Sequence, residues 1–127
     1  RLTRCCMSVL PDFLARIPLP LRQSGFWLLW AISTTLMLLP ASELPTVNLW
    51  DKAEHAMTFA ALMALAWPAY HHRFSAQKLA LSLVGYGIAI ECIQFFIPSR
   101  SFSVLDMVAD SIGVAVVLLF LRRVQIP

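Results

Sequence analysis

Glu91 and Gln94 stand three residues apart near the end of an apolar run, and Asp106 and Asp110 stand four apart at the start of the next. Asp51, Lys52, Glu54 and His55 crowd the head of an earlier run, and Arg100 lies in the Pro-Ser-Arg turn between the last two. Carboxylates beside a histidine are the equipment of proton transfer. An arginine's planar fork grips phosphate or carboxylate through two bonds at once. On a helix, residues three or four apart share a face. Asp51 with His55, Glu91 with Gln94, and Asp106 with Asp110 therefore each make a polar stripe. Ionisable groups within membrane-spanning runs are costly and mark sites.

Composition defines the elements that must carry these stripes. Of 127 residues, 59% are hydrophobic and 13% charged, with a mean hydropathy of +0.73. A soluble domain has roughly half apolar and about a quarter charged residues, so the chain reads as an integral membrane protein. The expected fold is all-α, a single four-helix transmembrane bundle with short loops that make neighbours antiparallel. The spans are expected at about 24–40, 52–70, 79–97 and 104–121, within a transmembrane domain over 24–127. Residues 1–23 form a cytoplasmic or interfacial lead in which Pro11, Pro18 and Pro20 break any long helix. Pro68 should kink or end the second span.

Basic residues orient the bundle. Eight of the ten Lys and Arg fall in 1–23, 71–78 and 122–127, leaving Lys52 and Arg100 for the other side. The positive-inside rule then puts both termini in the cytoplasm, N-in and C-in. In that topology all three polar stripes meet at the external ends of their helices. Five carboxylates there (Asp51, Glu54, Glu91, Asp106, Asp110) face two cations, Lys52 and Arg100, with His55 able to offset one more charge. A low-dielectric site relieves such an excess by keeping an acid protonated or by binding a cation or cationic ligand.

Each residue also has a plainer reading. Asp51 with Glu54 and Ser103 with Asp106 match the capping pattern of a helix start. His55 can serve helix packing, and Arg100 can anchor at headgroups. Glu91 and Asp110 lie too deep to cap, each roughly 10 Å from its helix end at about 1.5 Å per residue, and their plain reading is a buried ion pair. A His-plus-carboxylate metal site at His55, Glu91 and Asp106 is chemically allowed. Its ligand spacing does not single it out, so no metal and no cofactor is assigned.

Other patterns carry less. Val84-Gly85-Tyr86-Gly87 has the letters of a potassium filter, but it lies inside an uninterrupted apolar run and reads as glycine-mediated helix packing. His71-His72 reads as a hydrated turn. Cys5, Cys6 and Cys92 imply no disulfide framework. No basic patch interleaved with exposed aromatics is present, which argues against nucleic acid as a partner. The basic lead, first apolar run and Pro40-Ala41-Ser42 are also similar to a signal peptide.

Taken together, Asp51-Lys52-x-x-His55, Glu91-x-x-Gln94, Pro98-x-Arg100, Ser103-x-x-Asp106 and Gly113 resemble the VanZ-like family of small bacterial membrane proteins, over roughly residues 30–120. Asp110 departs from the family pattern, which usually has Asn there, and the first 23 residues lie outside the resemblance. The resemblance implies a polytopic bacterial inner (plasma) membrane protein, in a family named for a member linked to teicoplanin resistance.

The leading expectation is a site, open toward the outer leaflet, that binds or processes a lipid or envelope-precursor headgroup. Arg100, Gln94 and Lys52 would bind ligand, and Glu91 with His55 would move a proton. Asp51, Asp106 and Asp110 would position their neighbours. The alternative is a non-enzymatic membrane protein whose polar cluster serves assembly with a partner or with itself as a homo-oligomer. Proton- or cation-coupled transport is a weaker third, since four spans leave little room for alternating access.

Overall fold

A computed structural model describes residues 14, 16–39, 48–97 and 103–125, without the side chains of 48–51 and 124–125. Four helices and no strand occur among the described residues: α1 Leu19–Leu38, α2 Asn48–Tyr70, α3 Ala76–Gln94 and α4 Val104–Gln125. The all-α expectation is met. Two of the four, α3 over Ala76–Gln94 and α4 over Val104–Arg123, are long and apolar enough to cross a membrane. The other two fall short of that hydropathy because α1 takes in Arg22 and Gln23, and α2 opens on Asp51, Lys52, Glu54 and His55.

Helix ends differ from the sequence expectation for local reasons. Prolines 18 and 20 initiate α1 instead of breaking it. Pro18 is the N-cap and Pro20 lies in the first turn, where a missing N–H costs nothing and a fixed φ favours the helix. Ser75 caps α3, its hydroxyl accepting the Lys78 N–H at 3.2 Å. This starts α3 three residues early, and the helix ends at Gln94. Pro68 sits in the last turn of α2, which stops at Tyr70. Arg22 and Gln23 reach across to the freed carbonyls there, Arg22 Nη1 donating to Pro68 O at 2.8 Å and Gln23 Nε2 to Ala69 O at 3.4 Å.

Helix α2 packs against all three others, and α3 does the same, so α1 and α4 take opposite corners. Cross-links at Thr34–Tyr86 and Met37–Gln94 run α1 parallel to α3, while Lys52–Asp106 and His55–Asp110 run α2 parallel to α4. The α2–α4 seam is the tightest. A Cβ on Gly113 would fall 2.1 Å from the Ala56 carbonyl oxygen, so only glycine allows this approach. Gly87 has a similar part, with Phe59 and Asp110 against it, whereas Gly85 faces open space. Residues 84–87 are continuous α3, as helix packing requires and a filter loop does not.

On three of the helices the buried face is apolar toward one end of the bundle and polar toward the other. On α2 it runs Ala66, Met63, Leu62, Phe59 and then His55. On α3 it runs Ala80, Leu83, Gly87, Ile90 and then Glu91 and Gln94. On α4 Val114 gives way to Asp110 and Asp106. One end of the bundle is thus a hydrocarbon core and the other a polar one.

Candidate functional site

Three helices bring their polar residues to that second end. His55 on α2 lies between the two aspartates of α4, with Nδ1 2.9 Å from Asp110 Oδ1 and Nε2 3.9 Å from Asp106 Oδ2. Lys52, one turn earlier on α2, donates to Asp106 Oδ1 at 2.7 Å. The regular i,i+3 and i,i+4 spacings on two parallel helices make this ladder possible. Lys52 is the rim of the cluster, with 37% of its side chain exposed, and Asp106 is buried beneath it.

Glu91 comes from α3 and is wholly buried. Its Oε2 accepts the backbone N–H of Ser103 at 3.1 Å, while Oε1 has no hydrogen-bond partner among the described residues. The expectation that Glu91 is too deep to cap is corrected here. Helix α3 ends at Gln94, so Glu91 is one turn from the end and reaches the start of α4. Ser103 is the α4 cap residue, its hydroxyl accepting the Asp106 N–H at 3.2 Å. In a closed capping box the third helical residue would return its carboxylate to the cap N–H. Glu91 supplies that carboxylate from another helix, which releases Asp106 to Lys52 and His55.

Gln94 is buried and its Nε2 donates to the Met37 carbonyl at 2.7 Å. It satisfies one of the orphan carbonyls in the last turn of α1 and ties α1 to the cluster. The sequence offered Gln94 as a ligand-binding residue and gave no sign of this bond. Asp51 lies within α2, three residues past its start, and its side chain is outside the described residues. Arg100 lies outside them altogether.

His55, Glu91 and Asp106 each present one donor atom, and these atoms all lie within 4.8 Å of one another. The trio left unassigned from sequence is therefore a set of neighbours in space. Cys92 is exposed on α3 and takes no part in it.

A second feature had no counterpart in the sequence reading. A cleft of about 350 Å³ opens between α1, α2 and α3 in the apolar half of the bundle. Phe26, Trp27, Trp30, Tyr70 and Tyr86 line it, with Lys78 at its edge. Trp27 Nε1 donates to the Tyr70 hydroxyl at 2.7 Å, and Tyr86 shares a hydrogen bond with Thr34. The closely spaced aromatics Phe26, Trp27 and Trp30 were the available signal, but read along one chain they are only span residues.

Neither the curated proteins nor the solved structures contain a match to this chain. The family model for VanZ/LLP1 matches residues 13–125, beginning well before the region that carried the sequence resemblance. That span is nearly the whole chain, and the protein belongs to the VanZ/LLP1 family.

Proposed function

We propose that the protein is a polytopic membrane protein of the bacterial inner membrane, with four spans and both termini in the cytoplasm. Its polar cluster, near the outer leaflet, handles a lipid or envelope-precursor headgroup. The observation that carries this reading is the burial of His55, Glu91, Asp106 and Asp110 from three helices beneath a half-exposed Lys52. Buried ionisable groups at membrane depth are retained for a purpose.

The exterior supports the membrane setting. Only 28% of the apolar window of α3 and 22% of that of α4 is buried, where a soluble core helix would be mostly covered. Leu28, Ile88, Ile112, Val116, Leu119 and Phe120 all face outward. The hydroxyls of Ser24, Thr35, Ser82 and Ser111 bond back to carbonyls four residues earlier, which satisfies them without water.

In this reading Glu91 and His55 exchange a proton with the bound headgroup, and Lys52 with Arg100 attracts its phosphate or carboxylate. Asp110 orients His55, Asp106 holds Lys52, and Gln94 keeps α1 against the site. Asp51 belongs to the same stripe as His55. The family's association with glycopeptide resistance makes tolerance to such antibiotics one phenotype of the same activity.

The test is mass spectrometry of envelope lipids and lipid-linked precursors. Cells lacking the protein are compared with cells carrying wild type or Glu91→Gln at matched abundance. A species that changes on deletion and returns only with wild type supports headgroup handling and names the substrate class. Identical profiles in all three overturn it.

The ion pairs Lys52–Asp106 and His55–Asp110 favour a second reading, in which the cluster fixes helix packing for assembly with a partner or another copy. Under it, Glu91→Gln loses stability or its partner and alters no lipid.

A further inference from the structure

We propose that His55, Glu91 and Asp106 form a binding site for a first-row divalent cation, with Zn²⁺ the best fit. The inference goes beyond the headgroup reading, because an ion here would serve a structural cluster equally well.

Each of the three donors is tied on its outer side and presents its other side inward. His55 Nδ1 is held by Asp110 Oδ1 at 2.9 Å. With Asp110 ionised, Nδ1 is the donor in that bond, and Nε2, on the Asp106 side of the ring, is the nitrogen that would ligate the ion. A carboxylate behind a histidine in this way is the usual outer partner of a metal-bound imidazole. Asp106 commits Oδ1 to Lys52 at 2.7 Å and turns Oδ2 toward His55 Nε2, 3.9 Å away. Glu91 commits Oε2 to the Ser103 N–H at 3.1 Å.

The fourth observation is independent of this geometry. Glu91 Oε1 is fully buried and has no hydrogen-bond partner among the described residues. A buried carboxylate oxygen left this way carries a desolvation cost, which a proton or a cation offsets. A cation shared with His55 and Asp106 does so directly.

Distance and charge agree. Donors within 4.8 Å of one another need to close by only about 1 Å, through side-chain rotation, to bond one Zn²⁺ at about 2.0–2.2 Å. Ionised Glu91, Asp106 and Asp110 against Lys52 leave two negative charges with His55 neutral, and a divalent ion cancels them. One imidazole with two carboxylates suits Zn²⁺ or Mn²⁺. Mg²⁺ and Ca²⁺ prefer oxygen alone, and among the described residues no cysteine joins the cluster to suit a softer ion. Three protein ligands also leave a coordination position open.

The experiment uses the full chain purified in detergent, stripped with chelator and titrated separately with Zn²⁺, Mn²⁺ and Mg²⁺. We expect about one Zn²⁺ per chain by elemental analysis and a thermal midpoint that rises with Zn²⁺ and falls again with chelator. Mg²⁺ should leave the midpoint unchanged. Asp110→Asn should weaken Zn²⁺ binding about 10–100-fold, as loss of an outer partner does, and Glu91→Gln should weaken it at least tenfold. A His71→Ala, His72→Ala double variant should bind as wild type does, since those residues lie in the turn at the other end of α2. X-ray absorption of the wild-type Zn²⁺ form should give one imidazole nitrogen with oxygen neighbours, a readout that needs no variant to fold. Absence of Zn²⁺-dependent stabilisation, a spectrum with two or more imidazoles, or loss of binding in the His71/His72 variant would overturn the proposal.

Discussion

Glu91 on α3 accepts the backbone N–H of Ser103, the residue that caps α4, at 3.1 Å. One side chain thereby ends one helix's polar face and begins another's. Removing it should be felt at the start of α4 before anywhere else. Glu91→Ala leaves the Ser103 N–H without its acceptor and should cost about 1–3 kcal/mol, the usual penalty for an orphaned buried donor. Glu91→Gln keeps an acceptor oxygen and should cost less than about 1 kcal/mol. Chemical denaturation in detergent, with amide exchange followed at residues 103–107, measures both. Equal losses in the two variants would mean that the charge matters and the bond does not.

The α2–α4 seam makes a paired prediction from two glycines. Gly113→Ala places a methyl 2.1 Å from the Ala56 carbonyl oxygen, so the helices must part, at about 1–3 kcal/mol for overpacking. Gly85→Ala meets nothing within 4 Å and should stabilise α3 by up to about 1 kcal/mol through helix propensity. Thermal midpoints of the two proteins should move in opposite directions. A Gly113→Ala protein with an unchanged midpoint would rule out this crossing.

Gln94→Leu should release the end of α1. Its loss strands the Met37 carbonyl in a buried position, at a cost of about 1–3 kcal/mol. Exchange at residues 36–39 should quicken while α4 keeps its protection. Uniform loosening of all four helices would show that Gln94 does more than tie α1.

His55 and Asp110 should be energetically coupled. Their contact at 2.9 Å predicts that the double variant His55→Asn, Asp110→Asn is less damaged than the sum of the single ones, by about 0.5–3 kcal/mol. Additive losses in a double-mutant cycle would remove Asp110 as the partner that orients the imidazole.

The sequence located the helices through their apolar runs and missed their ends where capping decided the matter. The stretch Ser75-Ala76-Gln77-Lys78 reads as a polar loop, yet Ser75 bonds the Lys78 N–H and turns it into the first turn of α3. At its other end α3 stops at Gln94, three residues before the expected end, which leaves Glu91 one turn from that end and bonded to Ser103. The prolines at 18 and 20 were read as breakers because proline is costly in a helix interior, and they turned out to lie at a helix start. The polar stripes themselves were legible, since spacings of three and four fix a face. Their partners across helices were not. Lys52 meets Asp106 only because α2 and α4 run parallel at the distance Gly113 permits, and no local pattern encodes that distance.

The bare backbone of Gly113 against the Ala56 carbonyl also divides the cluster mechanically. Two helices this close cannot slide or roll past each other without colliding, so Lys52, His55, Asp106 and Asp110 ride on a single rigid jaw. Glu91 rides with Gln94 on α3. The bond between Glu91 and Ser103 is the strap that ties α3 to the start of α4.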